Sequence, residues 1–145
     1  MDRKLYRRDQ LPQWYIHDVI KHDYSFYFGL HLASCLIPSQ RPEDYDNDRV
    51  RRKLGLMEVG QFDPIITDCD FNIICGHHRH KMLKDFYTHS FQVPIICLEG
   101  ATIQMVVEYY ESLQLHEQAQ LDYQAEMRAV EDYDYMKLKE GKAVI

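Results

Sequence analysis

Short apolar runs bounded by turn-forming residues characterise the middle of the chain. Runs at 64–67, 71–75 and 93–98 have the length and the β-branched content of buried strands. The residues at 68–70 have turn chemistry, so the first two runs are expected to form a hairpin. Pro94 cannot donate a backbone hydrogen bond, which favours an edge position for the third run. The pattern therefore predicts a small sheet.

Helical spacing of apolar residues appears in three further stretches. Residues 50–57 repeat apolar side chains three and four positions apart, and Gly60 is placed just beyond that helix. A second helix is expected from about residue 77 to 87. Thr102 is a suitable N-cap for a third, whose sequence stays helical and acidic to about residue 136. Together these elements indicate an α/β (α+β) fold, with a small mixed sheet, packed helices and a helical C-terminal extension.

The first 38 residues have the least regular pattern. Trp14, Ile16 and Val19 suggest a short strand. The apolar segment 26–37 fits either a strand or a short helix, and residues 39–47 have the composition of a loop.

Charge is distributed unevenly along the 145 residues, whose net charge is −6. Residues 1–98 hold 13 basic and 13 acidic side chains, whereas residues 99–145 hold 4 basic and 10 acidic ones. A neutral body with an acidic end disfavours tight non-specific binding to nucleic acid, although basic clusters at 3–8 and 49–53 keep nucleic acid open as a partner. A protein partner or a homodimer is equally open.

Neither the spacing of the cysteines nor the length of the apolar runs indicates secretion or membrane insertion. The four cysteines show no CxxC spacing, and the N-terminus has no apolar segment of the signal-peptide kind. No apolar run approaches the ~18 residues of a membrane span. We expect a cytoplasmic protein with free thiols and no membrane partner.

The segment from Gly76 to His80 carries the most informative chemistry. A strand that passes through one glycine into a helix leaves the first backbone N–H groups of the helix without helical partners, at the positive end of its dipole. Arginine suits bidentate contacts to oxyanions. We therefore expect Gly76, His77, His78 and Arg79 to form a phosphate or carboxylate pocket. The alternative is a plain helix start with a surface arginine and solvated histidines.

Metal chemistry at this segment is a weaker alternative. His77 and His78 point about 100° apart on a helix, and no further ligand stands at ligand spacing, so no protein metal site is expected. Mg²⁺ bound to a nucleotide needs only one or two carboxylates. The candidates for that role are Glu43, Asp63, Asp68 and Asp70.

Two further groups have open alternatives. Cys75 precedes the turn and could have a lowered pKa beside Arg79, or could be a small apolar residue of the strand. The basic run Arg49, Arg51, Arg52 and Lys53 could supply a second phosphate contact or be a solvated helix face.

Three segments, in order, resemble the ParB/sulfiredoxin superfamily: 60–66 (GQFDPII), 76–83 (GHHRHKML) and 93–96 (VPII). The resemblance covers about residues 36 to 115 and implies a small α/β domain that binds nucleotides or phosphorylated groups. It implies that the segment 76–79 contacts phosphate, with ATP or CTP and Mg²⁺ as cofactors. His77 and His78 would then be the catalytic residues of nucleotide hydrolysis or phosphoryl transfer.

Departures from the family pattern narrow these expectations. His77 stands where sulfiredoxin has its reactive cysteine, and Cys75 stands where kinase-type members carry an acid. We expect a ParB-like domain with an N-terminal extension at 1–115 and an acidic helical extension at 116–145, too short for a DNA-reading and a dimerisation domain.

Two rival functions remain open. One is a non-catalytic interaction protein, of the kind found among phage or plasmid accessory proteins, acting through its acidic helical segment. The other is a ParB-like DNA-binding regulator or nuclease.

Overall fold

The computed structural model describes residues 4–87 and 91–139, with the side chains of the final helix described as far as residue 130. The chain divides into two compact units, 1–110 and 111–145. In the described ranges, no helix is both long and apolar enough to cross a membrane. The helices and strands, in chain order, are α1 (Ile16–Lys21), β1 (Phe26–Leu32), α2 (Asn47–Glu58), β2 (Ile65–Thr67), β3 (Ile73–Cys75), α3 (His77–Phe86), β4 (Gln92–Leu98) and α4 (Ile103–Lys139).

One mixed sheet forms the centre of the first unit, with strand order β1-β4-β2-β3. Strand β4 pairs antiparallel with β1 and parallel with β2, and β2 pairs antiparallel with β3. Connecting the parallel pair requires a crossover, which the chain makes through β3 and α3. The predicted α/β (α+β) fold with a small mixed sheet and packed helices is confirmed.

Both faces of the sheet are covered by helices. On one face Ile65, Ile73 and Ile95 pack in a cluster that includes residues of α2 and α3. On the other face Ile66 and Ile74 pack against residues of α1 and the first turns of α4. Burial on both faces explains why β2, β3 and β4 appear in the sequence as continuous apolar runs, whereas β1 has exposed side chains such as Phe28 and Leu30.

Several local predictions are confirmed. The hairpin of β2 and β3 turns at 68–70, and α2 and α3 begin and end close to the expected residues. Gly60 follows the end of α2 with a φ of +80°, the conformation expected of a glycine beyond a helix. Thr102 caps α4, since the backbone N–H of Met105 donates to its Oγ1 at 3.2 Å. The ambiguous segment 26–37 is a strand followed by a short 3-10 turn.

The predicted strand around residues 14–19 is wrong, because this segment forms α1. The backbone N–H of Tyr15 donates to the Asp18 carboxylate at 2.8 Å, which stabilises the start of the helix. Trp14 and Val19 are buried as the pattern suggested, but Val19 lies in a short helix and Trp14 just before it. With only two buried positions, a strand and a single helical turn look alike in sequence.

The predicted edge position of the third strand is also wrong. Strand β4 lies between β1 and β2. Pairing with β2 begins at Ile95, opposite Ile65, so Pro94 lies outside that ladder. The missing N–H of a proline therefore interrupts no pairing with β2 at this position.

Candidate anion site at the start of α3

Gly76 adopts a backbone conformation that few other residues tolerate. Its φ is +105° and its ψ is 22°, and it directly precedes the first residue of α3. A Cβ atom at this position would lie 2.9 Å from Nη2 of Arg79 and 3.1 Å from Cγ1 of Ile65. Glycine is therefore needed both for the turn and for the close approach of the Arg79 guanidinium.

Arg79 folds back beneath this turn. Its side chain is only 7% exposed, and Nη2 donates to the carbonyl oxygen of Pro64 at 3.1 Å. Its Nε is buried and has no hydrogen-bond partner within the described part of the protein. A buried donor without a partner is unusual and costs free energy, so it marks a position where a ligand can bind.

His77 connects α3 to the preceding loop. The backbone N–H of Ser39 donates to its Nε2 at 3.1 Å, and the Ser39 Oγ lies 3.0 Å from the same nitrogen. Ser39 Oγ itself donates to the carbonyl of Ile73. Because Nε2 accepts a backbone hydrogen bond, the ring is neutral and carries its proton on Nδ1.

His78 makes an equivalent contact to a second loop. The backbone N–H of Asp46 donates to its Nε2 at 3.1 Å. Burial, and secondly the positive charge of Arg8, lower the pKa of His78 to about 4. At neutral pH this imidazole is uncharged.

The three histidines diverge from one another. The Nε2 of His80 donates to the carbonyl of Ala33 at 2.9 Å, and burial lowers the pKa of this ring as well. All three rings are buried, so the alternative of solvated histidines is wrong. Among the described residues, no group of three histidine, cysteine or carboxylate side chains could hold a metal ion.

Two of the four basic residues of α2 reach the turn. Arg49 and Lys53 line the pocket beside Gly76, whereas Arg51 and Arg52 are exposed elsewhere on the helix. The pKa of Lys53 is lowered, first by burial and then by the positive charge of Arg79. The charges of Lys53 and Arg79 repel each other, and an anion bound in the pocket would relieve this repulsion.

The pocket itself is small, about 30 Å³. Part of its wall comes from residues 11–13 and from Gln40, which no sequence pattern indicated. The N-terminal segment is fixed there because Tyr6 pairs with the loop: its N–H donates to the Ser39 carbonyl at 2.7 Å, and the Arg41 N–H donates to its carbonyl at 2.8 Å. These contacts span more than thirty residues of sequence, so no local pattern could indicate them.

The carboxylates proposed for Mg²⁺ do not line this pocket as the structure describes it. The carboxylate of Asp68 is only 1% exposed and accepts N–H bonds from Asp70, Asn72 and Ile103. It therefore joins the hairpin turn to the start of α4. The residues in the pocket wall supply no acidic ligand for a metal ion.

Cys75 is an apolar component of the strand. Its thiol is buried and donates to the carbonyl of Trp14 at 3.4 Å. Burial raises its pKa even though Arg79 is close. The alternative of a thiol with a lowered pKa is therefore wrong.

Comparison with known proteins finds similarity only to solved structures. No protein-family description matches the sequence, and no curated protein matches it. Two solved structures of a pNOB8-like ParB N-domain are similar to 57% of this chain, with 20% and 18% sequence identity and TM-scores of 0.44 and 0.46. This chain spans about a third of their length, at 33% and 31%.

Proposed function

We propose that this protein binds a ligand bearing a phosphate group, with a nucleoside triphosphate as the leading candidate, at the turn of Gly76. The observation that carries the proposal is the buried Nε of Arg79, which has no partner among the described residues and lies beside the start of α3. A phosphate oxygen at this position would accept from Nε and from the backbone N–H groups of the first helical turn.

The charges of the pocket wall support an anionic ligand. Arg79, Arg49 and Lys53 contribute three cations, and no carboxylate lines the wall as described. His77 and His78 contribute no positive charge at neutral pH, because each Nε2 accepts a backbone N–H bond. The positive potential comes from arginine and lysine side chains and from the helix start.

The size of the pocket limits how the ligand enters. A volume of about 30 Å³ admits the terminal oxygen atoms of a phosphate group and excludes a nucleoside. The remainder of the ligand would extend outward past Gln13 and Arg49, which form part of the rim.

The proposal is one of binding, without a chemical step. In this arrangement His77 and His78 are positioning residues, since their bonds to Ser39 and Asp46 fix the loops that surround the turn. Their predicted role as catalytic residues of hydrolysis or phosphoryl transfer stays a prediction. Mg²⁺ would arrive bound to the nucleotide, and no step depends on a protein ligand for it.

Thermal unfolding with nucleotides tests the proposal. ATP, CTP, GTP, UTP and inorganic triphosphate are each added with and without Mg²⁺ to the full chain and to three variants. Arg79→Lys removes the unpartnered Nε donor, and Arg49→Met removes a cation of the rim. Arg51→Met is the matched control, because it removes an equal charge from an exposed position on the same helix.

We expect at least one triphosphate to raise the unfolding temperature of the unmodified protein and of Arg51→Met, and to raise that of the other two variants less. Absence of any stabilisation, at concentrations up to about 5 mM, would exclude affinities in the physiological range and contradict the proposal. Equal stabilisation of all three variants would place the ligand elsewhere.

A second candidate function rests on the long helix α4. Within the second unit its described side chains are nearly all exposed, including Leu115, Tyr123 and Met127. Apolar side chains on an acidic helix are suited to docking a basic amphipathic partner protein. In this reading the helix is the functional surface of an interaction protein.

A labelled, lysine-rich amphipathic peptide provides a direct test. Its fluorescence anisotropy is measured with the full chain and with the variant in which Tyr123 and Met127 are both serine. The matched control replaces Gln118 and Gln124, exposed polar residues of the same helix, by serine. We expect the peptide to bind the full chain, the substitutions of Tyr123 and Met127 to weaken this binding, and the control substitutions to leave it unchanged. Equal binding by both variants would refute this candidate.

A further inference from the structure

A second and much larger cavity lies against the outer side of α3. Its volume is about 680 Å³, within the range of about 300–1,000 Å³ typical of small-molecule sites. Its walls come from the N-terminal segment, from the loop that contains Pro38 to Tyr45, and from residues 80–85 of α3. It shares only Gln40 with the pocket at Gly76.

Gln40 provides a donor that the protein itself leaves without a partner. The residue is 4% exposed, and its side-chain Nε2 makes no hydrogen bond within the described ranges. Its backbone is held in the bridge to Tyr6, which fixes the position of the residue in the wall that this cavity shares with the pocket at Gly76. A ligand that offers an acceptor would satisfy this buried amide.

Two lysines give the cavity an anion-binding side. Lys81 forms an ion pair with Asp85 at 2.9 Å, and its Nζ lies 5.9 Å from the centre of the Tyr45 ring. Lys84 has no ion-pair partner among the described residues, and its charge contributes to the lowered pKa of His80. Because the opposite charges of Lys81 and Asp85 cancel, the wall keeps the positive charge of Lys84.

The opposite side of the cavity is apolar and partly flat. It consists of Leu5, Pro38 and Pro42, and the ring of Tyr45 joins it to the side of Lys81. A neighbouring cavity of about 290 Å³ shares Pro38, His80 and Lys84, so the space continues along α3. Proline and tyrosine rings are suited to contact with a flat apolar ligand.

We propose that this cavity binds a small organic anion with a flat apolar body. Its carboxylate or phosphate contacts the ammonium groups of Lys84 and Lys81, an acceptor atom takes the hydrogen bond of Gln40, and its flat body lies against Tyr45. The proposal concerns a different site from the one at Gly76 and stands whether or not that site binds a nucleotide.

Isothermal titration with matched pairs of probes tests this site. The anionic probes are indole-3-carboxylate and uridine 5′-monophosphate, which distinguish carboxylate from phosphate, and the neutral partners are indole-3-carboxamide and uridine. The proteins are the full chain, Lys84→Met, Gln40→Met, Arg49→Met, which alters only the pocket at Gly76, and, as a matched control, Lys21→Met. Lys21 is an exposed lysine at the end of α1, outside both cavities.

We expect at least one anion to bind with a dissociation constant below about 1 mM, and its neutral partner to bind at least about tenfold more weakly. Lys84→Met should weaken that anion about tenfold, and Lys21→Met should leave it unchanged. Gln40→Met should weaken both members of the pair.

Three results would overturn the proposal: no binding of either anion, equal affinity for an anion and its neutral partner, or an unchanged affinity in Lys84→Met. Loss of binding in Arg49→Met with retention in Lys84→Met would assign the probe to the Gly76 pocket instead. That outcome would support the nucleotide proposal while refuting this one, so the two can fail separately.

Discussion

The free energy of unfolding is expected to decrease between about pH 7.5 and about pH 5, because His78 binds a proton when the protein unfolds. In the folded protein this ring is buried near Arg8, and its Nε2 accepts the backbone N–H of Asp46. Its pKa is lowered from 6.5 to about 4. A protonated Nε2 could no longer accept that bond, so charge and geometry both favour the neutral ring.

The size of the effect follows from the two pKa values. A group with a lowered folded-state pKa contributes its full stability above the unfolded-state value and loses it as the pH falls toward the folded-state value. A difference of about 2.5 units corresponds to roughly 3 kcal/mol when fully expressed. About 2 kcal/mol of this should already be lost at about pH 5. His80, whose pKa is also lowered, adds to the same trend.

Urea unfolding of the full chain and of His78→Gln provides the measurement. Glutamine can accept the Asp46 N–H through its side-chain oxygen and does not titrate, so the variant should lose about 2 kcal/mol less than the unmodified protein between the two pH values. His116→Gln is the control, because His116 is exposed. If the unmodified protein and His78→Gln lose the same free energy over this range, His78 is not held neutral and the reasoning fails.

Substitutions at three further positions test the contacts that hold the turn, the hairpin and the start of α4, each by urea unfolding at neutral pH. Gly76→Ala should destabilise the protein by about 2 kcal/mol or more, since alanine is strained at this positive φ and its Cβ would displace Arg79; a loss below about 0.5 kcal/mol would contradict the geometry. Asp68→Asn should lower the free energy of unfolding by about 2–4 kcal/mol, because the amide replaces an acceptor oxygen with a donor among several N–H groups. An unchanged stability would show that the hydrogen bonds to the Asp68 carboxylate are not formed. Thr102→Ala should cost about 1 kcal/mol and Thr102→Ser much less, and equal losses would rule out the cap.

The parts of the fold that could be predicted are those fixed by neighbouring residues. The strand, the single glycine and the helix at 73–86 follow from composition within a dozen positions, and the hairpin turn at 68–70 is equally local. The order of the strands is not local. Pro94 favours an edge when β4 is considered alone, but the parallel pairing with β2 depends on the crossover through α3.

The anion site shows the same division between local and distant information. The sequence predicts that Gly76 and Arg79 lie together, because a helix start and an arginine within one turn form a local pattern, and in the structure they do. It gave no indication of Gln40 or of the N-terminal residues in the wall, which the fold brings from more than thirty positions away. The hydrogen bonds that His77 and His78 accept from the backbone of Ser39 and Asp46 are equally distant in sequence, and no local pattern indicates them.

The hydrogen bonds that His77 and His78 accept determine how the affinity of the turn for a phosphate group should depend on pH. Because His78 is neutral throughout the range from about pH 6 to 8, it cannot supply charge to a bound phosphate there. The attraction would come from Arg79, Arg49 and Lys53, and the pKa of Lys53 is lowered by burial and by Arg79. A bound anion would raise the pKa of Lys53, so ligand binding and protonation of this amine are coupled with the same sign. The histidines fix the shape of the pocket, and the arginines and the lysine determine its charge.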